Sequence, residues 1–251
     1  MSFLSKSLLG QTLQTIGVLM LVMLVGLFLD SEFVAKSYYE HAQWINNVLV
    51  VILFIFLYLK SPRRTREQLI YAFLIAIVGE YVFSKFLGMY TYRLENIPHY
   101  IPPGHAVVFL LVYNFCKKSE VRKHSHSIEK VLTIVIVILA ISFLVVKNDI
   151  YGFLLTVLVF YFLRKHPKEK LFYLTMYVFV VYTEIIGTAF NCWEWPPIAF
   201  DKFSFLPSAN PPIGISFFYF GLDRGTMSIY KRRHKKEWNR LKQIRAISLK
   251  V

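Results

Sequence analysis

The chain has 251 residues, 56% of them hydrophobic, with 23 Phe and 16 Tyr, and its mean hydropathy is +0.48. A soluble domain cannot hide that much apolar surface from water, so the composition excludes one and points to an integral membrane protein. The net charge of +14 would suit nucleic acid if it lay on one soluble face, but the basic residues fall between apolar runs, which is how membrane topology is written, and no nucleic-acid partner is expected.

In chain order, apolar segments fall at 12–30, 43–59, 69–88, 103–116, 131–146, 149–163, 171–190 and 211–223. They predict an all-α polytopic membrane bundle of about eight transmembrane helices. One Lys precedes the first segment and no A-x-A-like cleavage site follows it, so an uncleaved helix is expected there. The loops KSPRRTREQ (60–68), KKSEVRKHSHSIEK (117–130) and RKHPKEK (164–170), the tail from Arg224 and Lys6 hold 24 of the 29 Lys and Arg. Lys36, Lys85, Arg93, Lys147 and Lys202 lie on the other side. The positive-inside rule therefore puts both termini in the cytoplasm of a multi-pass cell-membrane protein, with 89–104 and 190–211 facing outward. Cys116 and Cys192 fall on opposite sides and cannot form a disulfide. No nucleotide or metal motif is present, and no cofactor is expected.

The two halves echo each other. Glu80 precedes Tyr90-Thr-Tyr92, and Glu184 precedes Trp193-Glu-Trp195; Ile97-Pro98…Pro102-Pro103 matches Leu206-Pro207…Pro211-Pro212 at one fixed offset. Four helices followed by four helices give a parallel repeat, dividing the chain into 1–130, 131–224 and a basic tail, 225–251. In that tail Trp238, Leu241 and Ile244 share a helical face amid Lys and Arg, an arrangement suited to anionic lipid head groups. Asp223 and Arg224, at the end of the last segment, are expected to pair locally or with head groups.

Depth along the helices brings particular side chains together. Glu80 lies twelve residues from Gln68, and His105 twelve from Lys117, so each sits about 18 Å from the cytoplasmic boundary. Glu184 and Asn210, fourteen residues from Lys170 and Arg224, both sit at about 21 Å. The hydrocarbon core is about 30 Å thick, so the proline segments must re-enter the outer leaflet. There they start short helices, where a missing N–H costs nothing.

A carboxylic acid at such depth costs several kcal/mol unless paired or protonated. Glu80 and Glu184 are therefore candidate catalytic acids, although an interhelical hydrogen bond is the plainer role. His105 could exchange protons with Glu80, because imidazole titrates near neutrality. Asn210 cannot titrate and would orient water or substrate beside Glu184. Tyr90, Tyr92, Trp193 and Trp195 suit an interfacial aromatic belt, or the walls of a pocket whose ring faces stabilise a developing cation.

The intramembrane Glu80, then GMYTYR (88–93), then IP…P, followed by WEW (193–195) and LPSAN (206–210), resembles the carotenoid-biosynthesis membrane proteins that include the bacterioruberin-pathway carotenoid hydratases. The likeness covers about residues 69–115 and 171–220. It implies that Glu80, Tyr90 and Tyr92 match the family's first motif and Trp193, Trp195, Pro207 and Asn210 its second. It further implies hydration or isomerisation of an isoprenoid. Three functions are carried forward: a membrane enzyme modifying an apolar isoprenoid, carotenoid or acyl lipid by acid–base chemistry; a small proton-coupled transporter or lipid flippase; and a non-catalytic assembly protein.

Overall fold

A computed structural model describes residues 6–240. The described chain is almost wholly helical: α1 (Ser7–Leu29), α2 (Gln43–Lys60), α3 (Arg63–Phe86), α4 (Ile101–Lys117), α5 (Ser125–Lys147), α6 (Ile150–Lys165), α7 (Lys170–Ala189) and α8 (Tyr219–Arg233). The first seven coincide with apolar segments read from the sequence, with edges that move by up to six residues, whereas α8 shares only 219–223 with the eighth segment, because the chain is not helical at 211–214.

Local chemistry sets the ends. Pro102 and Pro103 occupy the first turn of α4, where the backbone N–H groups have no helical acceptor. Asp149 caps α6 by accepting the Gly152 N–H at 3.0 Å, and Asn148 closes α5 in the left-handed region at φ 54°. Beyond α1, Ser31 caps a short helix at Glu32–Ser37 by accepting the Val34 N–H. Lys36 beside Glu32 in that helix holds its carboxyl below the usual range.

Among the described residues five helices are long and apolar enough to cross a bilayer, beginning at Ser7, Gln43, Arg63, Ser125 and Pro167. Their burial differs sharply: 11% of the apolar window of α1 and of α5 is buried, against 67% of that of the segment containing α7. An apolar helix left that bare is stable only where the solvent is itself apolar. The molecule is thus a membrane-embedded helical bundle with α7 as its axis. α7 packs against α1, α4 and α5, while α3 packs against α4 and α8.

Four short strands close one end. β1 (Thr91–Tyr92) and β2 (Trp193–Glu194) pair antiparallel, and β3 (Ile198–Ala199) and β4 (Phe203–Pro207) form a bulged hairpin. A buried network fixes this end to α1. The Asp30 carboxylate accepts from Arg93 at 2.9 Å, from the Tyr100 hydroxyl at 2.7 Å and from Gln43 at 3.1 Å. With Asp30 fully buried, losing its Arg93 partner would leave an uncompensated charge that water cannot reach.

Candidate functional site

Glu80 is the last α-helical residue of α3 before the π-helical stretch Tyr81–Phe86, a wound segment of the kind that gathers at functional sites. Its Oε2 accepts hydrogen bonds from the Tyr90 and Tyr92 hydroxyls at 2.9 and 2.7 Å. Its Oε1 shares a hydrogen bond of 2.8 Å with His105 Nε2. His105 is on the first full turn of α4, so the equal depths of these two residues in the sequence correspond to contact. Burial, then the neighbouring Glu80 carboxyl, pushes both phenols well above their ordinary range, which keeps them protonated and donating.

Glu184, on α7, repeats the arrangement with different chemistry. Its Oε2 accepts the indole N–H groups of Trp193 and Trp195 at 2.8 and 3.0 Å. Among the described residues its Oε1 has no hydrogen-bond partner. The β1–β2 pairing sets Tyr92 opposite Trp193 and Thr91 opposite Glu194. It also places the Tyr90 and Trp195 rings 4.7 Å apart. Two strands of two residues each thus clamp the four aromatic donors into one wall and turn both glutamates toward the same space.

That space is a cavity of about 730 Å³ whose lining is largely apolar, within the range of small-molecule sites. Glu80, His105, Glu184, Tyr90, Tyr92, Trp193 and Trp195 all line it. The aromatic residues are therefore pocket walls with their polar tips spent on carboxylates. A ligand would meet ring faces and a few polar atoms.

Asn210 is placed differently from its sequence expectation. Its Oδ1 accepts the Trp195 backbone N–H at 3.0 Å, and it does not line the cavity. Counting helical rise back from Arg224 overreached, because the chain is not helical from Asn210 to Gly214. Asn210 therefore holds the strand that carries Trp195. Tyr219 was missed altogether: its ring lies 5.0 Å from that of His105 and lines the cavity with Ile215 and Leu222. The i−4 and i+3 spacing of those neighbours, around one polar-tipped residue in an apolar run, was the available signal.

Asp223 and Arg224 do not pair. Arg224 bonds His166 Nε2 at 2.6 Å and lies over the Phe162 ring, whereas the Asp223 carboxylate is buried without a hydrogen-bond partner. Successive helical residues point in different directions, which separates the two. In the tail, Trp238 lies near both Lys231 and Arg64, and His234 bonds Glu67 at 2.6 Å; Leu241 and Ile244 lie outside the described residues. Both cysteines are free and buried. No group of three or more His, Cys, Asp or Glu converges as a metal site among the described residues.

Comparison with known proteins found no matching family, no matching curated protein and no matching solved structure.

Proposed function

We propose that the chain is a multi-pass enzyme of the cell membrane that modifies an apolar lipid, of isoprenoid, carotenoid or acyl type, by acid–base chemistry such as hydration or isomerisation. One observation carries this reading. Two glutamates, each held by two aromatic donors, face a single apolar cavity, and one of them is hydrogen-bonded to a histidine. Scaffolding needs no cavity between its polar contacts.

In the proposed reaction the Glu80 carboxyl transfers its proton to one carbon of an alkene, leaving a cation on the adjacent carbon. The faces of Tyr90, Tyr92, Trp193 and Trp195 stabilise that cation. In hydration, water oriented by the free Oε1 of Glu184 adds to the cation. The proton it sheds returns through His105 to the Glu80 carboxylate. In isomerisation the proton lost from a neighbouring C–H restores Glu80 instead. Asn210 acts by positioning Trp195, and the resemblance to carotenoid hydratases favours the same substrate class.

The architecture proposed with this chemistry has eight spans, both termini cytoplasmic, in two parallel repeats with re-entrant proline segments. Matching local geometry supports the duplication. Gly88 and Asn191 are both left-handed, at φ 62° and 54°, and each stands two residues before the first aromatic of its pair. Tyr100 N donates to Asn47 Oδ1 at 2.9 Å and Ala209 N to Asp149 Oδ1 at 3.1 Å, each two residues before a proline pair. α2 packs on α4 as α6 packs on the start of the last helical segment. The basic tail would meet anionic head groups.

The test is mass spectrometry of total lipid extracts from cells carrying the wild type, Glu80→Gln or neither. A lipid shifted by one water, or isomerised, in the wild type alone supports the enzyme. Three coincident profiles overturn it and favour a proton-coupled carrier or flippase, which changes a lipid's location and leaves its mass alone.

A further inference from the structure

The cavity has two unlike ends. The carboxyls of Glu80 and Glu184 and the His105 ring gather in one part of it, and toward α1, α2 and α3 the lining is apolar apart from Asn46, whose amide donates to the Gly26 carbonyl. Several of those side chains, Leu21, Val25, Leu49, Val78 and Val82, are also exposed on the outside of the bundle, from 38% for Val82 to 62% for Val78. A residue that both lines a cavity and faces out marks its mouth. The surface on which this mouth opens is that of helices bare enough to require lipid around them. Helix packing leaves the gap: α1 is held by α7 and α3 by α4 and α8, with little contact between α1 and α3. Small residues keep the passage clear. A side chain at Gly104 would meet nothing nearer than Val50 at 4.0 Å, and one at Gly79 would first touch Phe83 at 3.8 Å.

From this arrangement we infer that the mouth between α1, α2 and α3 is a lateral portal through which one long apolar chain enters from the bilayer core, leading with the end that reaches the glutamates. The occupant is a chain and not a compact apolar molecule, because the mouth is continuous with lipid while the carboxyls lie only at the far end, the Asn46 amide being spent on the Gly26 carbonyl. Such a ligand never crosses water, so neither its entry nor its exit costs hydrophobic transfer energy. This inference deepens the proposed function by fixing how its substrate arrives, and it rests on the cavity being the site.

The test reads entry without chemistry. In a Trp44→Phe, Trp238→Phe background only Trp193 and Trp195 remain, both buried at 6% and 4% exposure. This protein is reconstituted in phosphatidylcholine vesicles, and a fatty acid brominated midway along its chain is titrated in. The expected result is saturable quenching of most of the emission, lost in Gly79→Phe and, separately, in Gly104→Phe. Each variant is checked for an unchanged elution profile, and having two guards against one failing to fold. Quenching that is absent, non-saturable or equal in the variants overturns the portal. The lipid mass assay on the same variants keeps the two ideas apart. Product formed without saturable quenching leaves the chemistry standing and removes the portal. Saturable, portal-dependent quenching without product supports chain entry and removes the enzyme.

Discussion

The two glutamate cradles share a plan and differ in every donor. Glu80 is held by phenols and an imidazole, groups able to give and to take hydrogen bonds, whereas Glu184 is held by indoles, which only give. A proton can travel along the first set and stops at the second. The packing differs in the same sense. The fixed offset between the proline pairs carries His105 onto Gly214, where a Cβ would overlap the Gly152 carbonyl oxygen and lie 2.6 Å from Leu155 Cβ and Thr156 N. The second half thus closes helix against helix at the place where the first half leaves room for His105 and a cavity. Of the two cradles, one has donors that also accept and open space beside it, and the other is closed by packing.

Exchange of the acids tests this division most severely. Glu80→Gln keeps an acceptor for both tyrosines but cannot donate a proton to carbon, and conversion is expected to fall by about 10²–10⁴. Glu184→Gln keeps the indole bonds and still orients through its free end, so a smaller loss is expected. Equal losses in the lipid assay would break the comparison. On the packing side, Gly214→Ala forces α6 off the last helical segment and is expected to cost about 1–3 kcal/mol or more. Gly104→Ala, whose Cβ would make only an ordinary contact with Val50 at 4.0 Å, is expected to stay within about 0.5 kcal/mol. Thermal unfolding in detergent measures both. Within the cradles, Trp193→Phe loses a hydrogen bond and leaves part of the indole volume empty. Tyr92→Phe loses only the hydrogen bond, about 1 kcal/mol. The same melts rank them, and a reversed order would show that the phenol bears more than its one contact.

Much of this was legible in the chain. The apolar runs mark α1 to α7, because hydropathy over a dozen residues is a local property, while the short helices at Glu32–Ser37 and Ser119–Lys123 carry no such signal. The depth count set Glu80 beside His105, since both residues lie on continuous helices of fixed rise. The same count misplaced Asn210, where the helix it assumed is absent. Nothing local announces the β1–β2 pairing: its partners lie about a hundred residues apart, and strands of two residues carry no readable alternation. Yet that pairing brings the two cradles together, so the sequence showed two matching motifs without showing that they share one cavity. Asp223 was misread for a related reason. A charge at the end of an apolar run suggests solvent, but Asp223 lies inside α8, near Glu169 and Tyr173, and is buried.

The smallest expected effect probes the turns that deliver the aromatic pairs. Gly88 and Asn191 both sit in the left-handed region, which costs a residue with a Cβ about 1–2 kcal/mol unless it is Asn or Asp. Gly88→Ala is therefore expected to lower stability by about 1 kcal/mol, and Gly88→Asn by a few tenths. Asn191 carries one further contact, its amide donating to Glu32 Oε2 at 2.7 Å on the exposed side. Asn191→Gly relieves the backbone and loses that exposed bond, so the two effects offset and little net change is expected. Chemical denaturation in mixed micelles resolves these differences. If Asn191→Gly proved the costlier change, the tie to Glu32 would be holding the rigid half in place, and the likeness of the two turns would end at their backbone angles.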